Sequence, residues 1–393
     1  MGLRIGALWS LLAAAALMAS ACAGGSELRS SDGASPTLPA SSITVPLPES
    51  TSAATTSLDT TTTEPDRTWR LLAGGDVLMT RTEPAGIDPF ALLDPPLGSS
   101  DFSLVNVEMA ISDRGEPHWK EFVFRAPPAA AERIAAGGVS VANLANNHAN
   151  DYGPDALTDT IDLLEAAGVT TIGAGRDADE AYQYRLLSAG NGVRVAFVGA
   201  SMIVPAAFAA GSATPGIASA HSPARARVLD TVRAAAAEAD AVIVAVHWGI
   251  ERDTCPSNDQ RLLARQLLDA GADAVIGHHP HVLQPVELVG RKLVAYSLGN
   301  FIWHVRSGIL GETGVLQIDF DGDGVTTWEF HPHVLDADGA PAPTDSGERV
   351  DRIRDIISGN CAPHDPPPPE RTSTTTTTTT TTTLPPPTGT AGV

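Results

Sequence analysis

Short apolar runs of strand length alternate with helical segments along the middle of this chain. After residue 190 the order is strand Val193 to Val198, helix Pro223 to Ala239, strand Ala241 to Val246, helix Asp259 to Ala270 and strand Ala274 to Ile276. Strands that alternate with helices are typical of α/β domains. The segment 68–335 is large for one domain, but α/β folds commonly reach this size. The sequence therefore predicts an α/β fold for residues 68–335.

The last third of this segment shifts toward antiparallel pairing. Strand candidates run from Lys292 to Tyr296, from Gly314 to Phe320 and from Val325 to Phe330. The run Asp319-x-Asp321-x-Asp323-Gly324 opens like a calcium-binding EF-hand loop, but its twelfth position is Phe330 and no flanking helices are apparent. Asp-Gly turns between strands are the ordinary signal of a hairpin. We therefore expect a hairpin here.

The N-terminal residues 1–22 have the pattern of an export signal. Arg4 supplies positive charge, Ala7 to Met18 is apolar, and small residues lead to Cys22. This arrangement resembles a bacterial lipobox, which implies lipidation of Cys22 and a protein held at the outer face of the cell membrane. The alternative is an ordinary cleaved signal peptide with an incidental cysteine. Both alternatives place the mature chain outside the cytoplasm.

The segments on either side of the predicted domain have low-complexity composition. Residues 23–67 are dense in Ser, Thr, Pro and Gly, which predicts a disordered tether because such a segment buries too little apolar surface to fold. Residues 336–393 form a C-terminal segment with a Pro/Thr-rich tail that we expect to be disordered, and this tail includes the run Thr374 to Thr383. The tail is interpreted either as a glycosylated stalk or as a passive end.

Charge and cysteine usage narrow the function classes. The formal net charge of −21 disfavours nucleic acid as a partner, since binding it needs a basic patch. Apart from Cys22, the chain has Cys255 and Cys361, and an exported protein permits a disulfide between them. The alternative, a cysteine metal ligand, lacks any Cys-x-x-Cys spacing.

Metal-type side chains follow five predicted strands. They occur in Gly75-Asp76, Asn106-x-Glu108, Asn146-Asn147-His148, His247-Trp248-Gly249-x-Glu251 and His279-x-His281. A two-metal hydrolytic centre needs carboxylate oxygens that bridge the ions and imidazoles that complete each shell, with the ions about 3.5–4 Å apart. The mixture suits manganese, zinc or iron better than calcium. We therefore predict a divalent transition-metal site holding up to two ions, with a centre that binds no metal as the alternative.

Individual roles follow from the chemistry of each side chain. The predicted metal ligands are Asp76, Asn106, Glu108, Asn147, His247, His279 and His281. His148 and Glu108 are the predicted catalytic groups, because a histidine can donate a proton near neutral pH. Glu251 is predicted to hold His247 in one tautomer, with Asn146 as a further outer partner. The alternatives are a helix start at His148 and a turn at Asn146-Asn147.

The sequence of the last cluster, Gly277-His278-His279-Pro280-His281-Val282, also predicts a local backbone geometry. Proline fixes its own φ, so we expect the two flanking histidines to be held in an extended, pre-set conformation. This cluster directly follows the apolar strand candidate Ala274 to Ile276. In open α/β folds such strand ends build the functional site.

Taken together, these segments resemble the CapA family of poly-γ-glutamate capsule synthesis proteins. The resembling pieces are Gly75 to Met79, Asn106 to Glu108, Asn143 to Gly153, His247 to Glu251, Gly277 to Gln284 and Ser297 to Phe301. The resemblance implies a calcineurin-like metallophosphoesterase sandwich, with two facing mixed sheets flanked by helices. It also implies a part in making, anchoring or exporting poly-γ-glutamate, with an anionic surface polymer or its synthesis and export machinery as partner.

One difference from working metallophosphoesterases leaves two functions possible. Working metallophosphoesterases usually open with Asp-x-His, whereas Asp76 is followed by Val77 and Leu78. The retained metal-type residues favour a surface-anchored metal-dependent hydrolase or transferase that acts on an anionic polymer or a phosphoester. The absent histidine favours a non-catalytic structural or binding component of a polymer export complex. A plain surface adhesin would explain the two ends of the chain but not the histidines.

Overall fold

The structure is a computed structural model that describes residues 66–80, 86–345 and 347–361. The predicted signal peptide, Cys22, nearly all of the predicted tether and the Pro/Thr-rich tail lie outside these residues. Within the described residues, no helix combines the length and the apolar character needed to cross a membrane.

The described residues contain strands throughout and helices mainly between them. The strands are β1 (Trp69–Val77), β2 (Phe102–Val107), β3 (Ala110–Ile111), β4 (Arg125–Ala126), β5 (Val141–Asn143), β6 (Thr170–Ile172), β7 (Ala174–Gly175), β8 (Arg185–Ser188), β9 (Arg194–Ser201), β10 (Gly216–Ile217), β11 (Ala241–His247), β12 (Ala274–His278), β13 (Val286–Val289), β14 (Lys292–Ala295), β15 (Asn300–Ile302), β16 (Glu312–Asp321), β17 (Gly324–Leu335) and β18 (Pro341–Pro343). The helices are α1 (Ala129–Ala136), α2 (Pro154–Ala166), α3 (Ala178–Ala181), α4 (Arg225–Ala236), α5 (Asn258–Ala270) and α6 (Glu348–Ile357).

Helix α5 shows how local sequence sets an element's limits. Ser257 caps its N-terminus by accepting from the backbone N–H of Gln260, and the Gln260 side chain returns a contact to the Ser257 backbone. This reciprocal capping box satisfies two backbone donors that would otherwise lack partners. Gly271 ends the helix in the left-handed conformation, which glycine adopts without a steric penalty.

The strands form two large mixed sheets. The first has the order β18-β17-β16-β1-β2-β5-β6, and β15 also pairs with β1. Strands β1, β2, β5 and β6 run parallel, whereas β16, β17 and β18 are antiparallel to their neighbours. The second has the order β13-β14-β12-β11-β9-β8, with parallel strands from β14 to β9 and an antiparallel strand at each edge.

The apolar faces of the two sheets pack against each other. One buried cluster joins Leu71 and Leu104 of the first sheet to Phe197, Ile243 and Ile276 of the second. The outer face of the first sheet packs on α1 and α2, and that of the second on α4 and α5. Helices therefore cover both outer faces of a two-sheet sandwich. The predicted fold class, two facing mixed sheets flanked by helices, is confirmed.

Two further features concern the C-terminal third. Strands β16 and β17 form an antiparallel hairpin in which Asp321 pairs with Gly324, so the hairpin expected here, rather than an EF-hand, is what the structure contains. Beyond residue 335 the structure adds β18 and α6, and Ile353 of α6 is buried in the cluster between the sheets. The folded part thus continues past the boundary expected from the sequence.

A disulfide joins Cys255 to Cys361, with 5.2 Å between the two Cα atoms. It ties the loop that follows β11 to the residues that follow α6. Among the described contacts, the Gln284 side chain holds the same loop by donating to the backbone carbonyls of Asp253 (2.8 Å) and Cys255 (3.2 Å). The loop that carries Glu251 is thus fixed at several points.

Candidate metal centre

Polar residues occupy matched positions where the parallel strands of each sheet end. Asp76 pairs in register with Asn106 between β1 and β2, and Asn106 pairs with Asn143 between β2 and β5. His247 and His278 are paired in the same way at the ends of β11 and β12. Parallel strands end at one edge of a sheet, so these side chains collect there.

Two glycines allow the backbone to come close around this edge. A Cβ on Gly75 would lie 2.0 Å from the carbonyl oxygen of Gly299, and one on Gly277 would lie 2.0 Å from that of Tyr296. The backbone N–H of Asp76 donates to the same Gly299 oxygen at 2.9 Å. Only glycine fits such an approach, and the approach fixes the backbone of Asp76.

A first group of ligand-type side chains comes from both sheets. Nδ1 of His281 lies 3.1 Å from Oδ2 of Asp76, and Nε2 of His281 lies 3.8 Å from Oε1 of Glu108. These three residues each offer a ligand atom within 4.8 Å of the others. Asp76 and Glu108 are fully buried, so solvent barely screens their charges.

A second group shares Glu108 with the first. Nε2 of His247 lies 3.6 Å from Oε1 of Glu108 and 2.8 Å from Oδ1 of Asn147. Ligand atoms of Glu108, His247 and His279 all lie within 4.8 Å of one another. Glu108 thus belongs to both groups, and its carboxylate would be shared between them if each held an ion.

The donor set fits a divalent transition metal. Oε1 of Glu108 and Nδ1 of His279 are buried and have no hydrogen-bond partner within the described residues. A buried polar atom without a partner costs about 1–3 kcal/mol, and a cation between these atoms would remove that cost. Carboxylate oxygens and imidazole nitrogens together suit manganese, zinc and iron.

The backbone at the two histidines differs from the sequence-based prediction. His279 has φ +96° and His281 has φ +58°, which places both in a region that side chains other than glycine adopt rarely. The extended conformation expected on either side of Pro280 is therefore wrong. The backbone N–H of Arg252 donates to the Pro280 carbonyl at 2.7 Å, and this hydrogen bond stabilises the turn. Such backbone strain is concentrated at functional sites.

Asn106 was predicted to be a metal ligand, and the structure gives it another position. Its Nδ2 donates to Oδ1 of Asp76 at 2.8 Å and to Oε2 of Glu108 at 3.2 Å. Its Oδ1 accepts from the side-chain amides of Asn143 (3.0 Å) and Asn146 (3.1 Å). Both ends of the amide are occupied, so Asn106 orients the two carboxylates rather than binding a metal itself.

The two buried carboxylates have opposite pKa shifts. Burial raises the pKa of Glu108 well above its usual value, and the negative charge of Asp76 adds to this effect. Burial would also raise the pKa of Asp76, but the hydrogen bond and charge of His281 bring it below its usual value. In the metal-free protein, Asp76 is therefore the more readily ionised of the pair.

The pKa values of the histidines at the centre are also shifted in opposite directions. Burial would lower the pKa of His281, but the hydrogen bond and charge of Asp76 raise it. Burial lowers the pKa of His279 to about 3, with a contribution from the charge of His281. Burial and the neighbouring histidines also lower the pKa of His247 well below its usual value. His247 and His279 are therefore neutral near pH 7, as metal binding requires.

The predicted catalytic residue His148 lies beside this centre in a polar triad. Its Nδ1 is 2.7 Å from Oδ2 of the fully buried Asp151 and 3.2 Å from Nζ of Lys120. Lys120 Nζ also lies 2.5 Å from Oδ1 of Asp151. Burial lowers the pKa of His148 although Asp151 opposes this. His148 lines one cavity together with His281, so both imidazoles border the same space.

The two predicted outer partners have different outcomes. The side chain of Glu251 groups with His279 and His281, within 4.8 Å of ligand atoms on both. The ring nitrogens of His247 instead contact two asparagine side chains, so the predicted pairing of Glu251 with His247 is wrong. Asn146 is both an outer partner of the site and part of a turn. Its side-chain amide donates to Asn106, and its side-chain oxygen accepts from two backbone N–H groups in the turn.

Three residues at the site were missed. Asn300 lies 3.0 Å from Nδ1 of His281 through its Oδ1, and Asp151 and Lys120 contact His148. Asn300 and Asp151 both stand inside the segments that carry the resemblance to the CapA family, and this was a usable signal. Lys120 follows no predicted strand, and its sequence context gives no signal that it belongs to the site.

Comparison with known proteins places this site in a family. Residues 70–304 match the family described as "Bacterial capsule synthesis protein PGA_cap". The "PGA biosynthesis protein CapA" of Bacillus subtilis (strain 168) is 32% identical over 292 residues, which cover 72% of this chain and 76% of that relative.

Two further relatives match over a smaller share of their own length. The "Capsule biosynthesis protein CapA" of Bacillus anthracis is 30% identical over 269 residues, covering 67% of this chain and 65% of that protein. A "probable polyglutamine synthesis accessory protein" of Mycobacterium tuberculosis (strain CDC 1551 / Oshkosh) is 33% identical over 213 residues, covering 52% and 56%. The matched family region contains every residue of the two groups described above, and this chain belongs to the PGA_cap family of bacterial capsule synthesis proteins.

Proposed function

We propose that this protein takes part in the biosynthesis of poly-γ-glutamate or a related anionic surface polymer, and that it does so through a two-metal centre. The names of its relatives support the first part. The second part rests on one observation: two ligand groups share Glu108, and buried atoms of Glu108 and His279 have no hydrogen-bond partner among the described residues.

One ion would be held by Asp76, Glu108 and His281, and the other by Glu108, His247 and His279. Asn147 would add its side-chain oxygen to the second, since that atom lies 2.8 Å from His247 Nε2. Manganese, zinc or iron would suit these donors. Bound metal of this kind polarises a carbonyl or phosphoryl oxygen and generates a nucleophile from water near neutral pH.

The residues of the chain itself would carry the remaining chemistry. Asn106 holds the two carboxylates in place, and Asp151 fixes His148 through Nδ1. With Nδ1 engaged in this way, Nε2 of His148 is the atom that would exchange a proton with a leaving group. The reaction class that fits is hydrolysis or transfer at an amide or phosphoester of an anionic polymer.

A second candidate is a non-catalytic part of the polymer export machinery. It is favoured by Leu78, which is buried where working metallophosphoesterases carry the histidine of Asp-x-His. Under either candidate, the chain would be exported and held at the outer face of the membrane by a lipid on Cys22. The tether of residues 23–67 would then place the folded part at a distance from the bilayer.

Complementation of a strain that lacks this protein tests the proposal. Loss of surface poly-γ-glutamate in the deletion strain, restored by the wild-type chain but not by Asp76→Asn, supports a metal-dependent activity. Restoration by both chains would favour the non-catalytic candidate. Unchanged polymer in the deletion strain would contradict a role in its biosynthesis. Globomycin-sensitive processing and metabolic labelling with palmitate, both lost in Cys22→Ser, test the anchor.

A further inference from the structure

Glu251 differs from the other carboxylates of the centre in its exposure. Asp76 and Glu108 are fully buried and are held by the Asn106 amide. Glu251 is exposed, and within the described part of the chain it makes no hydrogen bond or ion pair. Even so, its carboxylate lies within 4.8 Å of ligand atoms of both His279 and His281.

The backbone that carries Glu251 is firmly placed. Gly249 and Arg252 on either side have φ values of +94° and +64°. The Arg252 N–H donates to the carbonyl of Pro280, between the two histidines, at 2.7 Å. The loop that carries Glu251 and the turn that carries the histidines therefore form one unit. The carboxylate can therefore change its distance from the centre through its own side-chain torsions.

Glu251 also stands where a substrate would enter. It lines two cavities beside the centre, one with Lys120 and Asn147 and the other with Arg252 and Trp303. A ligand that reaches the centre from either cavity passes this carboxylate. An anionic group would meet its negative charge on the way.

The composition of the first ligand group indicates a role for Glu251. The group of Asp76, Glu108 and His281 lacks the additional histidine that Asp-x-His would supply, because that place is Leu78. We propose that Glu251 is a displaceable metal ligand on the open side of the centre, beside His279 and His281, and that it occupies the position where an anionic substrate group binds. The inference rests on the proposed metal centre.

Two opposite effects follow when Glu251 loses its charge. Metal binding weakens, because one ligand is lost. Anion binding to the metal-loaded protein strengthens, because a competing carboxylate is removed from the coordination position. A residue that only supports the fold would lower both affinities, so the pair of measurements separates the two roles.

The test uses the full chain, stripped of metal with a chelator, and the variants Glu251→Gln and Glu121→Gln. Glu121 is the matched control because its exposed carboxylate lines one of the same cavities but belongs to no ligand group among the described residues. Calorimetric titration with Mn²⁺ gives metal affinity. Water-proton relaxation of the Mn²⁺-loaded protein, titrated with inorganic phosphate, gives anion affinity.

We expect Glu251→Gln to weaken Mn²⁺ binding by about tenfold or more, since even outer partners of a metal site change affinity by about 10–100-fold. Phosphate should bind the loaded variant about fourfold more tightly, the effect of one unit charge at about 5 Å in water. Glu121→Gln should change neither value by as much as twofold.

Three outcomes would overturn the inference. Unchanged Mn²⁺ affinity in Glu251→Gln would show that Glu251 is not a ligand. Unchanged or weaker phosphate binding would show that it does not compete with anions. Equal effects in Glu121→Gln would reduce both results to general surface charge. A wild-type chain that binds no Mn²⁺ would instead refute the metal centre itself, and this result is distinguishable from the other three.

Discussion

His281 and Asp76 join the two sheets through a contact of 3.1 Å between Nδ1 and Oδ2. Asp76 is the next-to-last residue of β1 in the first sheet, whereas His281 follows β12 in the second. The hydrogen bond and the opposite charges shift the pKa of each partner in the direction that favours its charged form, against the effect of burial. The centre therefore depends on how the sheets face each other as well as on either sheet alone.

Asp76→Asn should abolish binding at the first position of the centre. The variant keeps the shape of the side chain but removes the charge that attracts the cation, and it leaves His281 without its ionic partner. Metal content after loading, measured by elemental analysis, should fall by about one equivalent or more relative to the wild-type chain. The control is Asp113→Asn, which changes an exposed carboxylate outside the groups and should keep full metal content. Wild-type metal content in Asp76→Asn would contradict the assignment.

The low pKa of His279 predicts how the metal-free protein responds to acid. Burial, aided by the charge of His281, lowers that pKa to about 3, whereas an imidazole of the unfolded chain has a pKa of about 6.5. Below about pH 6.5 the unfolded chain thus binds a proton that the folded chain does not. This contribution makes the free energy of unfolding fall as the pH decreases from about 6.5 toward 3.

The variant His279→Asn isolates this contribution, because asparagine tolerates the positive φ of +96° at this position. Urea unfolding of metal-free protein at about pH 7 and about pH 5 should show a smaller loss of stability in the variant than in the wild-type chain. His221→Asn, at an exposed histidine outside the site, is the control. An equal or larger loss in His279→Asn would count against the buried neutral imidazole.

Metal binding should release protons because of Glu108. Burial and the charge of Asp76 raise the pKa of this carboxyl well above its usual value, so the metal-free protein favours its protonated form, whereas a metal binds the carboxylate. Mn²⁺ titrations in buffers of different ionisation enthalpy should reveal this release, and raising the pH should tighten binding. Binding heats that do not depend on the buffer would contradict it.

Gly75→Ala should destabilise the fold next to the site. The added Cβ would lie 2.0 Å from the Gly299 carbonyl oxygen, so the backbone around Asp76 must shift. We expect a loss of about 1–3 kcal/mol or more in the free energy of unfolding. Gly190→Ala is a matched control, since its Cβ would meet no atom within 4 Å. Equal stability of the two variants, measured by denaturant unfolding, would refute the close approach.

Removing the disulfide should lower stability without emptying the centre. The double substitution Cys255→Ser with Cys361→Ser opens a cross-link between residues 106 positions apart, which should cost about 2–5 kcal/mol. Other contacts still hold the Glu251 loop, including that of Gln284 with Asp253. Thermal unfolding should therefore shift downward while metal content stays at the wild-type level. Loss of metal in a folded double variant would show that the cross-link itself positions the ligands.

The sequence predicted much of this architecture because its signals are local. The apolar runs that became β9, β11 and β12 are short and continuous, and helices α4 and α5 lie between them. Helix α6 was missed because its short amphipathic segment stands beyond the last recognised strand. Its burial depends on Ile353 reaching a cluster made by both sheets, which no local pattern reveals.

The sequence predicted which residues form the site better than it predicted the role of each residue. Side chains after strand ends identified Asp76 and Glu108, since topology brings such ends together. Whether an amide binds a metal or orients a carboxylate depends on where its neighbours lie, and the contacts of Asn106 come from three separate strand ends and loops. The distance of Glu251 from His279 likewise depends on the positive φ at His279. A residue before proline is expected to be extended, so the sequence does not predict this conformation.

The central claim is that the strand ends of both sheets hold metal. The most direct measurement is the metal content of the full chain beside an Asp76→Ala, His281→Ala double variant, both loaded with Mn²⁺ and freed of excess. About two equivalents in the wild-type chain, lost in a variant that remains folded by circular dichroism, is the predicted result. A folded wild-type chain that retains no Mn²⁺, zinc or iron would contradict it.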